Sequence, residues 1–165
     1  MTAFVIDAFE FARQKERREG QIAITDLPRL AKESPNSSGL LHWSLTGGSD
    51  RLGHPQLVLL VSATVQPVCQ RCLTPFPLEI ASESSLILAK DDADADKIEE
   101  MLDDDEIEVI VGSREMNLLD LIEDEALLAL PLSPKHEVCP DASGLVVQKS
   151  GKPSPFAVLK DLKKQ

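Results

Sequence analysis

Apolar and polar residues alternate through two long stretches in the middle of the chain, which predicts a β-hairpin. From Gln56 to Val68 apolar residues recur at every second position, and the alternation resumes at Phe76. A period of two is typical of strands with one buried face. Cys69 and Cys72 lie in the short turn between the two stretches. The pattern therefore places a Cys-x-x-Cys motif at a hairpin tip, where a binding site is more expected than a core.

The rest of the pattern predicts an α+β domain, with a mainly antiparallel β-sheet and helices packed on it. Strands are expected at residues 3–6, 21–25, 40–46, 56–68, 76–89 and 106–111. Helices are expected at residues 8–18, 27–31, 118–130 and 154–164. Asp7 and Asn117 stand at N-cap positions of two of these helices. The central strands are joined by connections too short for parallel crossovers, so they should form a meander that could curl toward a barrel.

One carboxylate interrupts the apolar face of the helix expected at residues 118–130. Leu118, Ile122 and Ala126 share one face of that helix, and Glu123 lies opposite. Glu125 falls inside the apolar sector, where a carboxylate must find a partner or titrate at higher pH. We expect a structural contact between Glu125 and an arginine or a backbone group. The alternative is a catalytic acid.

Most of the net charge of -11 comes from a single segment. Residues 91–108 contain eleven acids and one base, and the rest of the chain contains 17 acids and 16 bases. Few apolar residues occur between Asp91 and Asp105, so we expect a long, mobile, acidic loop there. This balance argues against a general polyanion binder, because phosphate contacts need concentrated lysine and arginine. It leaves RNA contact elsewhere on the chain open.

Length and composition predict one domain over residues 1–165, with a C-terminal tail at 141–165. No run of eighteen apolar residues occurs, so no membrane span is expected. The first ten residues lack the basic-then-apolar order of a signal peptide. Three cysteines without such a signal predict a reducing, cytoplasmic location.

Two further segments are candidates for contact with RNA or with a partner protein. Residues 13–18 are basic, which suits either a helix C-terminus or a phosphate-facing patch. The tail predicts a short helix with apolar residues on one side and lysines on the other. That helix either packs on its own sheet or docks into a partner's groove. The candidate RNA- or partner-binding residues are Arg13, Lys15, Arg17, Arg18, Arg71, Phe156, Leu159, Leu162 and Lys163.

Cys69 and Cys72, with His136 and Cys139, form two ligand pairs of the spacing that a tetrahedral zinc site uses. The pairs are 63 residues apart, so only the fold can bring them together. Structural zinc is one interpretation, and reduced thiols in a turn are another. A redox Cys-x-x-Cys is the third, although such motifs open a helix, and Pro75 disfavours a helix here.

Three motifs together resemble the family of the large ribosomal RNA subunit accumulation protein YceD. They are Cys69-Gln70-Arg71-Cys72-Leu73-x-x-Phe76, then Asp120-Leu121-x-Glu123-Asp124-Glu125 running into Leu128-Ala129-Leu130-Pro131, and finally Pro155-Phe156-Ala157-Val158-Leu159-x-x-Leu162-Lys163. Their order and separation also fit, with the Gln14-Lys15 region near the start. The resemblance implies a bacterial cytoplasmic protein needed for normal production of large-subunit rRNA, and it brings no catalytic residues.

The predicted function is therefore a non-enzymatic ribosome biogenesis factor that supports synthesis, processing or stability of 23S rRNA. It would bind precursor rRNA or a large-subunit assembly partner through the cysteine hairpin, the basic run and the tail. The rival is an adaptor that holds a ribosomal protein or a nuclease and never contacts RNA. A basic partner of that kind would suit the acids of residues 91–108.

Overall fold

The computed structural model of the protein describes residues 4–35, 38–102 and 106–140. Seven strands occur in this part of the chain: β1 (Val5–Ile6), β2 (Arg17–Ala23), β3 (Leu40–Ser49), β4 (Pro55–Val65), β5 (Leu78–Ala89), β6 (Ile107–Val111) and β7 (Met116–Asn117). Four α-helices accompany them: α1 (Ala8–Arg13), α2 (Pro28–Glu33), α3 (Asp92–Met101) and α4 (Leu118–Ala129). None of the helices in the described ranges is long and apolar enough to cross a membrane.

The main sheet has five strands in the order β2-β3-β4-β5-β6. The first four form the predicted antiparallel meander, which is confirmed. The fifth, β6, runs parallel to β5, because α3 carries the chain back along the sheet between them. The sheet is open, with β2 and β6 at its edges, so it does not close into a barrel. β1 and β7 pair separately as a short antiparallel ribbon.

One face of the sheet carries the main core. Alternate residues of β3 and β4 are buried, as the period of two predicts. Helices α1 and α4 pack on this face. Gly47 shows how closely α1 approaches, because a Cβ there would come within 2.4 Å of the carbonyl oxygen of Phe11. The largest fully buried side chains are Phe11, Ile24, Leu27, Leu30, Leu41, Leu45, Leu57, Leu59, Ile87, Leu88, Leu118 and Ile122.

Helix α1 is shorter than the pattern predicts, and most of the basic run at residues 13–18 lies outside it. Asp7 caps the helix as expected, accepting from the N–H groups of Phe9 and Glu10. The expected end at Arg18 is wrong, since the helix ends at Arg13 and Lys15 takes a positive φ of 53° that reverses the chain. Strand β2 then starts at Arg17, because its backbone pairs with β3. Tertiary pairing overrides the helical preference of this charged run.

The acidic segment is a helix rather than the expected mobile loop over residues 91–105. Asp91 caps α3 by accepting from the N–H of Asp94, and the acids of the first turn favour the helix dipole. Ile98 is buried against Ile87 and Ala89 on the sheet. The cap and a small apolar cluster of Ile98 with Ala95 and Leu102 therefore order Asp92–Met101, while residues 103–105 lie outside the described ranges.

Helix α4 starts at the predicted cap, Asn117, which accepts from the N–H of Leu119. Its two buried carboxylates differ from expectation. Glu123, expected on the polar face, is only 3% exposed because it bonds to α2. Glu125 lies in the apolar sector as predicted, but its partners are the hydroxyls of Ser82 and Ser84 rather than an arginine or a backbone group. Both serines lie on the core face of β5, where α4 crosses it.

Candidate metal centre and the surfaces around it

The cysteine motif lies at the tip of the β4–β5 hairpin, as predicted. Beyond the last regular pair of β4 and β5, Val68 and Pro75 form one more antiparallel bridge. Inside it the N–H of Cys69 donates to the carbonyl of Thr74 at 2.9 Å, and the N–H of Leu73 donates to the carbonyl of Cys69 at 2.9 Å. These bonds close a tight turn that turns both cysteine side chains to the same side.

The segment after α4 folds back onto this turn. The N–H of Gln70 donates to the carbonyl of Pro134 at 2.8 Å. The ring of His136 stacks at a tilt on Phe76, with 4.5 Å between the ring centroids. These contacts carry His136 and Cys139 to the tip, across the 63 residues that separate them from Cys72.

The four predicted ligands therefore converge. One ligand atom from each of Cys69, Cys72, His136 and Cys139 lies within 4.8 Å of all the others. The Sγ atoms of Cys69 and Cys139 are 3.9 Å apart, and Sγ of Cys72 is 3.3 Å from Nδ1 of His136. Cys69 and Cys139 are buried, whereas Cys72 and His136 are half-buried.

This geometry fits a zinc ion. With zinc–sulfur bonds of about 2.3 Å, a tetrahedron places two sulfur ligands about 3.8 Å apart. The observed Sγ separation of 3.9 Å matches that value without a disulfide, since all three cysteines are free thiols. The donor set of three sulfurs and one imidazole is one that closed structural zinc sites use. The residues present could therefore hold zinc as four protein ligands, with no position left for a substrate.

Backbone groups prepare Cys69 to act as a thiolate. Burial alone would raise the pKa of the Cys69 thiol, but N–H groups of Cys72, His136 and Arg71, together with the His136 side chain, lower that pKa to about 5. The N–H groups of Arg71 and His136 each lie 3.4 Å from the sulfur. By contrast, burial and the neighbouring Cys72 and Cys69 raise the pKa of Cys139. A cation among the sulfurs would remove that mutual repulsion.

The redox interpretation loses its usual structural basis. Thioredoxin-like motifs place the first cysteine at a helix N-terminus, whose dipole lowers the thiol pKa. Residues 66–77 contain turns and bridges and no helix. The hydrogen bonds to Cys69 come from a turn instead, which is the arrangement expected around a metal-bound sulfur.

The basic run lies away from the tip, and each of its arginines has an acidic neighbour. Arg13 pairs with Glu10 on α1. On the edge strand, Arg17 lies 2.9 Å from Glu19, and Arg18 lies 3.3 Å from Glu16. These exposed pairs are weak and can open to a phosphate, but they lower the local positive potential that the sequence suggested.

Arg71 occupies a different surface. It is exposed in the turn between the two hairpin cysteines, next to the candidate metal ligands. The remaining candidate binding residues, Phe156, Leu159, Leu162 and Lys163, lie outside the described residues.

A groove lies on the face of the sheet opposite the main core, and the sequence pattern did not predict it. This concave surface crosses β2, β3, β4 and β5 on the side opposite α1 and α4, and encloses about 700 Å³. The signal was available, because alternate residues of β3 and β4 are small or polar. The apolar exceptions are Leu40, Val58 and Leu60, of which Leu40 is 47% and Leu60 is 40% exposed within that face.

The fold and the site together define an open α+β domain with a Cys₃His cluster at a hairpin tip. The family with the description "Large ribosomal RNA subunit accumulation protein YceD" matches residues 57–163, and the chain belongs to this family. The match includes all four candidate metal ligands.

A named relative extends the likeness beyond the matched range. The large ribosomal RNA subunit accumulation protein YceD of Haemophilus influenzae is 28% identical over 172 residues, covering 97% of this chain and 95% of the relative. No solved structure matches the chain significantly.

Proposed function

We propose that this protein is a cytoplasmic, non-enzymatic factor that supports production of large-subunit rRNA, through processing or stability of the 23S precursor. Family membership over residues 57–163 is the observation that carries this proposal. The near full-length likeness to a protein named for accumulation of this RNA supports it. A Cys₃His cluster that could hold zinc through four protein ligands would be a structural centre rather than a reactive one, and this supports a binding factor.

In this proposal, zinc at Cys69, Cys72, His136 and Cys139 is structural. It would fasten the segment after α4 to the hairpin tip and fix the turn that presents Arg71. An elemental assay on protein purified without a metal-binding tag tests this step, with about one zinc per chain expected. Less than about a tenth of an equivalent, with all three thiols freely titratable, would remove zinc from the proposal.

The RNA-facing surface is proposed to combine the tip with the basic run. Arg71 supplies an exposed guanidinium at the tip, and residues 13–18 supply four more cations, between the end of α1 and the start of the edge strand β2. Phosphate contacts of this kind weaken with salt, because bound counterions are released on association. The tail residues Phe156, Leu159, Leu162 and Lys163 remain predicted contributors.

The deciding experiment is a pull-down of the tagged protein from growing cells, with ultraviolet crosslinking and sequencing of the bound RNA. Crosslinks clustered on precursor 23S rRNA are expected. They should weaken when Arg13, Lys15, Arg17 and Arg18 are replaced by alanine. The matched control replaces four exposed bases elsewhere: Lys32, Arg51, Lys90 and Arg114.

The alternative function is an adaptor for a basic ribosomal protein or a nuclease, without direct RNA contact. The ordered acidic helix α3 favours it, since Asp92, Asp94, Asp96, Glu99 and Glu100 form a fixed anionic surface. Protein partners recovered without crosslinked RNA would establish the adaptor and overturn direct binding. Equal loss of RNA in both sets of alanine variants would also contradict a specific role for the basic run.

A further inference from the structure

The open face of the sheet is a groove without a partner among the described residues. Helix α3 covers this face over β5 and β6, where Ile98 packs on Ile87. Across β2 to β5 the face is left open, and the groove of about 700 Å³ lies there. A second hollow continues it toward the end of the sheet that bears the hairpin tip, past Leu40 and Glu79.

The chemistry of the groove suits a basic, amphipathic peptide. Its floor offers apolar surface at Leu60 and Ala81, and three exposed acids lie along it: Glu79, Glu83 and Glu19, the last paired with Arg17. Sheet surfaces that bind single-stranded RNA carry aromatic rings for stacking and cations for the backbone. This face has acids instead, which would repel a phosphate chain.

The C-terminal segment of the same chain has the complementary chemistry. Residues 141–165 contain five of the chain's 17 basic residues and two of its 28 acids, which leaves 12 bases and 26 acids for residues 1–140. Within it, the helix expected at residues 154–164 carries Phe156, Leu159 and Leu162 on one side. At 100° per residue, however, Lys163 falls within that apolar side and Lys160 borders it, so the lysines are not all opposite the apolar residues as first expected.

The chain length allows this segment to reach the groove. The last described residue, Pro140, follows Cys139 at the hairpin tip, and 13 residues (141–153) separate it from Ser154. An extended linker of that length spans about 43 Å. The groove lies within that reach. Glu83 is five residues from Leu78, the end of β5 nearest the tip, which corresponds to about 17 Å along the strand. An eleven-residue helix is about 16 Å long, close to the width of four strands.

We propose that residues 154–164 dock in the groove on the open face of β2 to β5 of their own chain. The apolar side of the segment covers Leu60 and Ala81, and its lysines meet Glu19, Glu79 and Glu83. Tethering makes this docking intramolecular, so it needs only modest intrinsic affinity. Docking would cover Phe156, Leu159, Leu162 and Lys163, so it would compete with their predicted contribution to RNA or partner binding. The hairpin tip and the basic run would stay free, so the rest of the proposed binding surface does not depend on it.

Zero-length carbodiimide crosslinking of the full-length, metal-loaded protein tests the proposal. The reagent joins a lysine only to a carboxylate in direct contact, and an equal mixture of ¹⁴N- and ¹⁵N-labelled protein separates links within a chain from links between chains. Links within one chain from Lys160 or Lys163 to Glu79, Glu83 or Glu19 are expected. Mixed-label links would overturn the proposal in favour of a second copy, and lysine links confined to α3 would overturn it as well.

A matched pair of variants tests the role of the apolar side. Leu159→Gln removes a docking residue, whereas Ala157→Gln makes a similar change on the other side of the same helix. The first should lower the groove crosslinks severalfold and shift the amide resonances of Ser62 and Ala81, and the second should leave both near wild type. Equal behaviour of the two variants would contradict docking through this face.

Discussion

Among the residues that the structure describes, twenty-two apolar residues are buried together in the main core, whereas three are buried at the hairpin tip. The strands β4 and β5 belong to both regions, since their body carries Leu59 and Leu86 in the core and their far end carries Cys69. Each fully buried leucine contributes about 1.5–3 kcal/mol, so the core can stabilise itself. Two of the three residues buried at the tip are cysteines, and they have little apolar surface to bury.

The comparison shows that one hairpin is held in two different ways. Its body depends on packing, which is non-directional and tolerates small changes of shape. Its tip depends on directed bonds: N–H groups aimed at one sulfur, a stacked histidine and four donor atoms around a common point. A cation at that point would stabilise the tip more than any side chain available there.

Metal removal should therefore disorder the tip and leave the main core folded. Of our predictions, we expect this one to have the largest effect. Structural zinc in small domains binds with an apparent free energy of about 10–16 kcal/mol, which its ligands lose on chelation. Stripping the metal, or introducing Cys69→Ser, should broaden or shift the amide resonances of residues 66–77 and 132–140. Fluorescence of Trp43, the single tryptophan and part of the main core, should stay at its native value.

A tip whose amide spectrum is identical before and after chelation would show that the thiols hold the turn without a metal. Loss of Trp43 fluorescence would show instead that the two regions unfold as one. Cys139→Ser is a useful companion to Cys69→Ser, because it removes a ligand that lacks the N–H groups aimed at the Cys69 sulfur.

Within the body, two adjacent leucines test the packing. Leu59 is 0% exposed and Leu60 is 40% exposed on the opposite face of β4. Leu59→Ala should lower the free energy of unfolding by about 2.7–5 kcal/mol, because it leaves a cavity in the core. Leu60→Ala should cost less than about 1 kcal/mol. Urea denaturation followed by Trp43 fluorescence measures both, and comparable losses would contradict the assignment of the two faces.

A third test concerns the polar tie between α4 and α2. Glu123 accepts from the N–H of Arg29 at 2.6 Å and of Leu30 at 3.1 Å, and from Nε of Arg29 at 2.9 Å. Glu123→Gln should cost about 1–3 kcal/mol, because buried donors lose a charged acceptor. Asp124→Asn is the matched control, since exposed Asp124 bonds to the same arginine at 2.5 Å. It should cost less than about 1 kcal/mol.

The same carboxylate predicts a pH dependence. Burial would raise the pKa of Glu123, but the N–H of Leu30 and the side chain and N–H of Arg29 outweigh burial and lower it. A lowered pKa in the folded state gives stability that is present above the unfolded pKa and is lost as the pH falls through the folded pKa. Wild type should lose this stability on acidification below about pH 4.5, and Glu123→Gln should show a flatter profile in that range. An unchanged profile would contradict this role of Glu123.

The sequence predicted those features that depend on local pattern. Alternation located β3, β4 and β5, and the side chains of Asp7 and Asn117 marked two helix starts. The spacing of Cys69 and Cys72, and of His136 and Cys139, identified four side chains that the structure brings together. Spacing could name these ligands because each tight turn aims two side chains at one point.

Features that depend on distant partners could not be predicted. Arg17 and Arg18 look helical until β3 offers them backbone partners. Ile98 is one of few large apolar residues in an acidic run, and only contact with the sheet at Ile87 and Ala89 makes it an anchor. The partners of Glu125 are serines of β5, more than forty residues away in sequence, and no pattern along α4 indicates them.

The smallest effect we predict lies at Leu73, which follows the second tip cysteine with a φ of 61°. A left-handed conformation costs a residue with a Cβ roughly 1–2 kcal/mol, and glycine avoids that cost at the expense of a more flexible unfolded chain. The Leu73 side chain is 72% exposed, so removing it sacrifices little packing. Leu73→Gly should therefore strengthen the tip by about 0.5–1 kcal/mol, observed as slower release of zinc to a chelator.

Leu73→Ala removes the same side chain but keeps the Cβ, so its zinc should leave at the wild-type rate. Equal rates for both variants would show that the turn, with its bonds from Leu73 N–H to Cys69 and from Cys69 N–H to Thr74, holds this conformation without strain.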